Sequence, residues 1–218
     1  MRLVLLSDTH MWHDAIKIPD GDVILHTGDF GVSGEEKELV EALTWFRRLP
    51  HEHKICIAGN HDRHAEANLL FMQHTLGTAA HNLHGSGVEI DGVKFWGSPI
   101  QPEFRDWAFN RSKQYRSTYW DKHLPTETDI LLTHCPPRNI LDENYNGEKV
   151  GCKHIARNVQ ERVKPHLHVF GHIHEARGCK IVDDVHYVNA SVVNLSMNPV
   201  HKPWVLDYNE GEITLIDY

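Results

Sequence analysis

The chain has 218 residues, and its 22 Lys and Arg against 30 Asp and Glu give a formal charge of −8 at pH 7. Hydrophobic residues make up 40% and charged residues 24%, which is typical of a globular protein and excludes a disordered or collagen-like chain. The acidic balance argues against a protein that binds nucleic-acid polymers, since phosphate neutralisation needs clustered Lys and Arg. Histidine is abnormally frequent, at 19 residues.

The sequence carries no signal for a membrane or for secretion. No apolar run comes near the length of about 18 residues that a membrane span needs. The apolar start at residues 1–6 is too short for the core of a signal peptide. The four cysteines form no C-x-x-C pair, and their scatter fits a reducing compartment. We therefore predict a cytoplasmic protein with no membrane partner.

Short apolar runs recur along the chain and predict strands buried on both faces, because they are rich in Leu and β-branched residues. They cover residues 3–6, 23–25, 54–57, 130–132 and 167–170. Helical patterns lie between them, at residues 33–46, 62–74, 111–122 and 153–163. The first of these begins with Ser33-Gly-Glu-Glu36, which predicts a capping box, and stops before Pro50.

Three later segments alternate apolar and polar residues around a tight turn and predict β-hairpins, at residues 87–96, 180–188 and 204–216. The first contains Asp91-Gly92, a signal for a type I′ turn. The front half is thus typical of βαβ units, and the back half adds antiparallel strands. We predict an α/β fold of two mixed sheets packed face to face with helices outside, forming a single domain over residues 1–218.

Each of the five buried runs is followed closely by Asp, Asn or His. In α/β sheets, ligands bind in the crevice beyond the carboxyl ends of the strands. We therefore expect the loops at these ends to bring seven donors together. They are Asp8, His10, Asp29, Asn60, His134, His172 and His174.

This donor set predicts a dinuclear metal site. It exceeds the needs of one ion, since a tetrahedral zinc takes about four protein ligands, and it suits two ions that share a bridging carboxylate. Imidazole combined with carboxylate and without thiolate favours transition metals over Mg and Ca. We expect two divalent or trivalent ions of Mn, Fe, Zn, Co or Ni, with Mn or Fe favoured.

The motifs Asp-x-His, Gly-Asp, Gly-Asn-His-Asp, Thr-His and Gly-His-x-His occur in this order and span the chain from Asp8 to about Asn198. In this combination they resemble the calcineurin-like metallophosphoesterase superfamily. Stretches at residues 18–23, 53–61 and 167–175 resemble more narrowly its small metallophosphoesterase domain-containing (MPPED-type) branch. The resemblance implies a four-layer αββα sandwich.

The resemblance also implies a role for each motif residue. Asp8, His10 and His174 would hold the first metal. Asn60, His134 and His172 would hold the second, with Asp29 bridging both. His61 would be the general acid, and Asp62 would orient it.

The implied reaction is attack of a metal-bridging hydroxide on phosphorus, with protonation of the leaving group by His61. We predict a phosphodiesterase that acts on small substrates, such as cyclic nucleotides or nucleotide esters. The alternatives are a phosphomonoesterase or nuclease of the same fold, or a metal-binding scaffold without physiological catalysis. The sequence predicts no particular oligomeric state.

Four residues are candidate substrate contacts: Asn60, Arg63, Trp107 and Asn110. Arg63 could pair with a phosphate oxygen, or it could form a surface ion pair. Trp107 and Asn110 lie in an aromatic, turn-rich stretch at residues 95–110, which could line a substrate pocket or simply pack over the core. The fourteen histidines outside the motifs are interpreted mainly as packed or solvated side chains.

Overall fold

Fourteen strands and five α-helices form over residues 1–216, the part of the chain that the computed structural model describes. The strands are β1 Arg2–Leu6, β2 Val23–His26, β3 His53–Cys56, β4 His81–Asn82, β5 Ser86–Ile90, β6 Val93–Ser98, β7 Gln101–Pro102, β8 Asn110–Arg111, β9 Ile130–Thr133, β10 Leu167–Phe170, β11 Gly178–Val182, β12 Val185–Asn189, β13 Trp204–Asn209 and β14 Glu212–Ile216. The helices are α1 Glu36–Arg48, α2 Arg63–Ala67, α3 Phe71–Leu76, α4 Lys113–His123 and α5 Lys153–Asn158, which continues as a π-turn over Val159–Val163.

Two mixed sheets of six strands each carry the fold. The first has the order β14-β13-β1-β2-β3-β4, in which β1 to β4 run parallel and β13 is antiparallel to both of its neighbours, β1 and β14. The second has the order β11-β12-β10-β9-β6-β5, with β12, β10, β9 and β6 parallel. The five predicted apolar runs form or begin in β1, β2, β3, β9 and β10, which all lie inside a sheet.

Apolar side chains divide the molecule into layers. Leu3 and Leu5 of β1 point into the cluster between the two sheets, together with Ile130 and Leu167 of the second sheet. Val4, on the opposite face of β1, packs under α1 and α3. Trp120 of α4 lies in a third cluster that covers the outer face of the second sheet. This arrangement is the predicted sandwich of two mixed sheets with helices outside.

The predicted hairpins are confirmed, whereas one predicted helix is divided. Both Asp91 and Gly92 have positive φ, at 50° and 79°, as a type I′ turn requires. The helix expected over residues 62–74 is two short helices, because Asn68 ends α2 in an extended conformation and the chain turns before Phe71. The break leaves Leu69 exposed.

The expected capping box at the start of α1 is wrong in its partners. Glu38, rather than Glu36, reaches back, and its carboxylate accepts hydrogen bonds from the amides of Val32 and Ser33 at 2.9 and 2.8 Å. The turn at Gly34 displaces Ser33 from the capping position, and the helix begins at Glu36 without a side-chain cap.

Over residues 1–216, no helix combines the length and apolarity that crossing a membrane requires.

Candidate metal centre

The parallel strands of both sheets end at the same edge of the sandwich, and the loops there hold two clusters of ligand-type side chains. In the first cluster, Asp8, His10 and His174 have ligating atoms within 4.8 Å of one another. Asp8 and His10 follow β1, and His174 follows β10. His174 Nε2 lies 3.5 Å from Asp8 Oδ1 and 3.4 Å from His10 Nε2.

The second cluster consists of Asp29, His134 and His172, again with ligating atoms within 4.8 Å. Asn60 joins it, since its Oδ1 lies 2.8 Å from His134 Nε2. Asp29 Oδ2 lies 3.3 Å from His134 Nε2 and 3.8 Å from His10 Nε2, so this carboxylate reaches both clusters. The structure therefore brings all seven predicted donors together, four from the first sheet and three from the second.

Backbone carbonyls fix the orientation of three of these imidazoles. Nδ1 of His10 donates to Gly31 O at 2.9 Å, Nδ1 of His134 to Thr27 O at 2.8 Å, and Nδ1 of His174 to Asn194 O at 3.2 Å. With the proton assigned to Nδ1 by these partners, Nε2 presents a lone pair to the cluster.

The chemical nature and the spacing of the seven donors suit the binding of metal ions. His10 Nε2 and His174 Nε2 lie 3.4 Å apart, and Nδ1 of each ring donates to a carbonyl, so two ring nitrogens that can act as ligands share this space. Asp8 and Asp29 add two buried carboxylates to the same space. A site with this excess of acceptors matches the donor set of a transition-metal pair.

The pKa values show how strongly the metal-free cluster requires positive charge. Burial would lower the pKa of His134, but the charge of Asp29 outweighs burial and raises it to about 9. Burial would raise the pKa of Asp29, but the charge and hydrogen bond of His134 hold it well below its ordinary range. His172, by contrast, has a pKa lowered by burial to about 3 and is neutral. Without metal, a proton on His134 partly neutralises the carboxylates.

Four of the seven donors lie in a strained backbone conformation. Asp8, His10, Asp29 and His172 have positive φ values of 57°, 40°, 57° and 69°. Non-glycine residues rarely adopt this region, and such strain clusters at functional sites. The strain turns each side chain back toward the edge where the strands end.

Two glycines allow the strained loops to approach each other. A Cβ on Gly59 would overlap the Asp29 carboxylate, and a Cβ on Gly171 would overlap the side chains of Ser7 and Asp8. These positions explain why glycine precedes Asn60 and His172 in the motifs: a side chain would occupy the space of a candidate ligand.

His61 lies beside the first cluster, with its ring 4.9 Å from that of His10. Its Nδ1 donates to the Val32 carbonyl at 2.7 Å. Among residues 1–216, the Asp62 carboxylate accepts its hydrogen bonds from backbone amides rather than from the His61 ring. The Val32 carbonyl holds the His61 ring, and the orienting role of Asp62 stays a prediction.

The Asp62 carboxylate is fully occupied by backbone amides. It accepts hydrogen bonds from Gly59 N at 2.8 Å, Asp29 N at 3.0 Å, Phe30 N at 3.1 Å and Gly31 N at 3.2 Å. Burial, followed by the charge of Asp29, raises the pKa of Asp62 to about 7. Asp62 thus ties the loop that carries Asp29 to the loop that carries Asn60.

The predicted substrate-binding residues differ in their position relative to the two metal-ligand clusters. The Trp107 ring lies 5.7 Å from His61 and 5.6 Å from His172, so it forms one wall of the site. The amide of Asn110 donates to the carbonyls of Phe104 and Arg105 at 3.0 and 3.1 Å, and it therefore holds the loop behind Trp107. Arg63 is half exposed and lies 3.5 Å from Asp106, as a surface ion pair would.

Sequence reasoning missed His26, which it grouped with the packed or solvated histidines. His26 is fully buried and stacks on Phe30 at 3.7 Å. Its Nε2 lies 3.1 Å from Thr9 Oγ1, and its Nδ1 accepts from Gly28 N at 3.2 Å. It joins the loop of Asp8 and His10 to the loop of Asp29. Its place directly before Thr27-Gly28-Asp29, at the end of β2, was the available signal.

Comparison with known proteins agrees with this geometry. Residues 1–176 match the family model described as Calcineurin-like phosphoesterase. The chain belongs to this family of metallophosphoesterases, which hydrolyse phosphoesters with two divalent metal ions.

Two relatives point to the same branch that the sequence motifs resemble. Human Metallophosphoesterase domain-containing protein 1 is 38% identical over 230 residues, covering 94% of this chain and 70% of the human protein. UPF0046 protein K07C11.7 of Caenorhabditis elegans is 33% identical over 207 residues, covering 89% of this chain and 70% of that protein.

Solved structures share the fold at low sequence identity. TT1561 of Thermus thermophilus superposes with a TM-score of 0.62 at 13% identity, covering 99% of this chain and 98% of its own. A structure described as a novel archaeal phosphodiesterase superposes with a TM-score of 0.50 at 18% identity, covering 99% of both chains. These likenesses support the two-sheet sandwich.

Proposed function

We propose that this chain is a phosphodiesterase for small substrates, such as cyclic nucleotides or nucleotide esters, and that it works with two transition-metal ions. The observation that carries the proposal is the joining of two three-residue clusters by the Asp29 carboxylate, with His61 beside them. When bound, the ions supply a water of lowered pKa and a clamp on the phosphoryl oxygens.

The residues are assigned to the two ions by their clusters. Asp8, His10 and His174 would hold one ion, and Asn60, His134 and His172 would hold the other. Asp29, whose carboxylate reaches both clusters, would be shared between them. The carbonyl partners on Nδ1 keep the imidazoles in the tautomer that can ligate. Mn or Fe is favoured by the mixture of imidazole and carboxylate.

His61 is the proposed proton donor to the leaving group. Because Nδ1 is committed to the Val32 carbonyl, Nε2 is the nitrogen that can carry a proton toward substrate. The ring lies between His10 and Trp107, at 4.9 and 5.7 Å. The leaving group is therefore expected at the Trp107 wall. A positioned acid of this kind contributes typically about 10²–10⁴-fold in rate.

The charge of the chain favours a diester over a monoester. A diester carries one negative charge, whereas a monoester carries nearly two near neutral pH, and the protein has a net charge of −8. Arg63, the cation that follows the Gly-Asn-His-Asp motif, already lies 3.5 Å from Asp106. The monoesterase remains the alternative activity of the same site.

The test is turnover of bis-p-nitrophenyl phosphate and p-nitrophenyl phosphate by protein reconstituted with Mn, Co, Ni or Fe. We expect faster turnover of the diester. Faster turnover of the monoester would favour the alternative, and no turnover with any metal would leave a binding scaffold. Single-stranded DNA degraded as fast as the small diester would indicate a nuclease.

Two variants separate the proposed roles. Asp29→Ala is expected to lose metal and activity together, as measured by elemental analysis and by turnover. His61→Ala is expected to keep its metal and to lose rate by about 10²–10⁴-fold, mainly on substrates with poor leaving groups. Unchanged metal content in Asp29→Ala would contradict the bridging role.

The single-domain organisation of residues 1–218 and the cytoplasmic location stay predictions.

A further inference from the structure

A cavity of about 500 Å³ opens beside the first cluster, on the side of His174. We call it the His174 cavity; its lining includes His174, Asn194, Leu195, Ser196, His201 and Trp204. None of the sequence motifs predicted it, because most of its lining comes from the segment after β12 and from the start of β13. The proposed mechanism does not use it.

Ring contacts link the His174 cavity to the Trp107 wall through His10 and His61. His174 lies 5.2 Å from His10, His10 lies 4.9 Å from His61, and His61 lies 5.7 Å from Trp107. A leaving group must be within hydrogen-bond reach of its proton donor, which puts it at the His61 end. The cavity against His174, at the other end of these contacts, is then a candidate place for a second substituent on phosphorus.

We propose that the His174 cavity binds the ester group that stays on phosphorus, and that this group is an uncharged, partly apolar organic substituent. The inference rests on the proposed phosphodiesterase function and narrows its substrate class. A monoester has no second organic group to place there, whereas a diester has one.

The lining favours an uncharged group. Leu195 exposes 55% of its surface there, and Trp204 presents its indole. The two charged residues of the lining are opposite in sign. The Arg177 guanidinium stacks 4.6 Å from the Trp204 ring, and the Glu175 carboxylate accepts the amide of Tyr145 at 2.7 Å. A charged substituent would therefore meet one attractive and one repulsive partner, so the lining offers no net preference for either sign of charge.

Two hydrogen bonds fix the position of residues that line the His174 cavity, and one of them comes from the candidate ligand His174. The Asn194 carbonyl that accepts from His174 Nδ1 at 3.2 Å belongs to the loop that presents Leu195. The indole of Trp204 is fixed by its hydrogen bond to the Asn189 carbonyl at 3.1 Å. A preformed wall of this kind loses little conformational freedom on binding and so favours affinity.

The kinetic test changes only the retained group. Methyl 4-nitrophenyl phosphate and phenyl 4-nitrophenyl phosphate have the same leaving group, so the wild-type ratio of kcat/KM reports the second substituent. We expect the phenyl ester to be favoured by about tenfold. Leu195→Asp is expected to bring the ratio close to one, and Leu195→Ala to lower it partly. Leu69→Asp, at an exposed leucine between α2 and α3, is the matched control and should keep the wild-type ratio.

A binding measurement gives a readout that needs no turnover. Phenylphosphonate and methylphosphonate are inert, and calorimetric titration into the metal-loaded protein should show tighter binding of the phenyl compound, by about tenfold. Leu195→Asp should remove this difference, whereas the control Leu69→Asp should leave the phenyl preference in place.

The possible outcomes distinguish a failure of the cavity inference from a failure of the proposed phosphodiesterase function. Turnover of both esters with a ratio near one, or a preference unchanged in Leu195→Asp, would overturn the cavity inference and leave the phosphodiesterase standing. Absence of turnover would overturn the proposed function. In that case equal affinities of the two phosphonates would also overturn the cavity inference, and a phenyl preference that Leu195→Asp removes would support it.

Discussion

Hydrogen-bond partners distinguish the candidate ligand histidines from a histidine of the core. His10, His134 and His174 keep Nε2 free for the cluster, because a carbonyl oxygen holds Nδ1. His168 is fully buried as well, but its Nε2 lies 2.8 Å from the Thr133 hydroxyl, and burial lowers its pKa to about 3. The same residue type is a candidate ligand in one place and a neutral core side chain in the other.

His168→Leu is expected to make the stability of the protein less sensitive to acid. The pKa of His168 is about 3 in the folded state and 6.5 ordinarily, so the unfolded chain takes up the proton first as the pH falls. Stability from the neutral ring is complete above pH 6.5 and is lost toward pH 3, by up to about 1.4 kcal/mol per pH unit. Urea unfolding between these pH values should show a shallower slope in His168→Leu. His81→Leu, at an exposed histidine, should keep the wild-type slope, and equal slopes in all three proteins would contradict the prediction.

Asp62→Asn tests whether Asp62 positions the loops rather than the His61 ring. An amide keeps one acceptor oxygen but turns an NH₂ group toward backbone donors, so about two of the four hydrogen bonds are lost. We expect the free energy of unfolding to fall by about 2–4 kcal/mol and metal affinity to fall with it. Urea unfolding and metal titration measure both. Asp14→Asn, at an exposed position, is the control. A variant that loses only kcat would instead support the orienting role.

The donors could be predicted from the sequence, whereas their supports could not. Asp8, Asp29 and His134 follow apolar runs closely, so side-chain chemistry and strand position mark them together. The partners of His61 and His10 are the backbone carbonyls of Val32 and Gly31. Every residue carries a carbonyl, and only the folded chain shows which one is in place.

At the scale of secondary-structure elements, the elements whose boundaries are marked by local sequence, such as turn residues, were predicted best. The three hairpins turn at Asp91-Gly92, Asp183-Asp184 and Glu210-Gly211, with positive φ at both residues of each turn. The division of the helix expected at residues 62–74 has no such local mark. Apolar residues continue through Leu69, and the chain breaks there because Asn68 caps α2 in an extended conformation.

Gly59→Ala is expected to disrupt the meeting of two loops while leaving the strands in place. The new Cβ would occupy the space of the Asp29 carboxylate, so the loop after β2 or the loop after β3 must shift. We expect metal content to fall sharply, with far-UV circular dichroism unchanged. Gly178→Ala is the matched control, since its Cβ would meet the flexible Leu141 side chain at 3.2 Å and the Ala176 carbonyl at an ordinary contact distance of 3.9 Å. Full metal content in Gly59→Ala would show that the loops adapt without loss.

At the scale of the whole molecule, pairings between distant segments build the site. β1 lies between β2 and β13, with Arg2 opposite Asp207 in register. The sequence predicted two mixed sheets, but it could not predict this pairing, because no local pattern in residues 2–6 identifies a partner some 200 residues away. The sheets share the apolar layer between them and the cluster of donors at one edge.

Because each sheet supplies part of the donor set, metal binding is expected to stabilise the packing of one sheet against the other. Removal of metal leaves Asp8 and Asp29 buried near each other, whereas an ion at a hundredfold excess over its Kd adds about 2.7 kcal/mol to the free energy of unfolding. Calorimetry should therefore show a lower Tm after chelation and recovery on addition of Mn or Fe. Asp29→Asn should lose most of the metal-dependent shift, and Asp20→Asn, at an exposed position, should retain it. An identical Tm with and without metal in the wild-type protein would mean that the donors do not join the sheets through an ion.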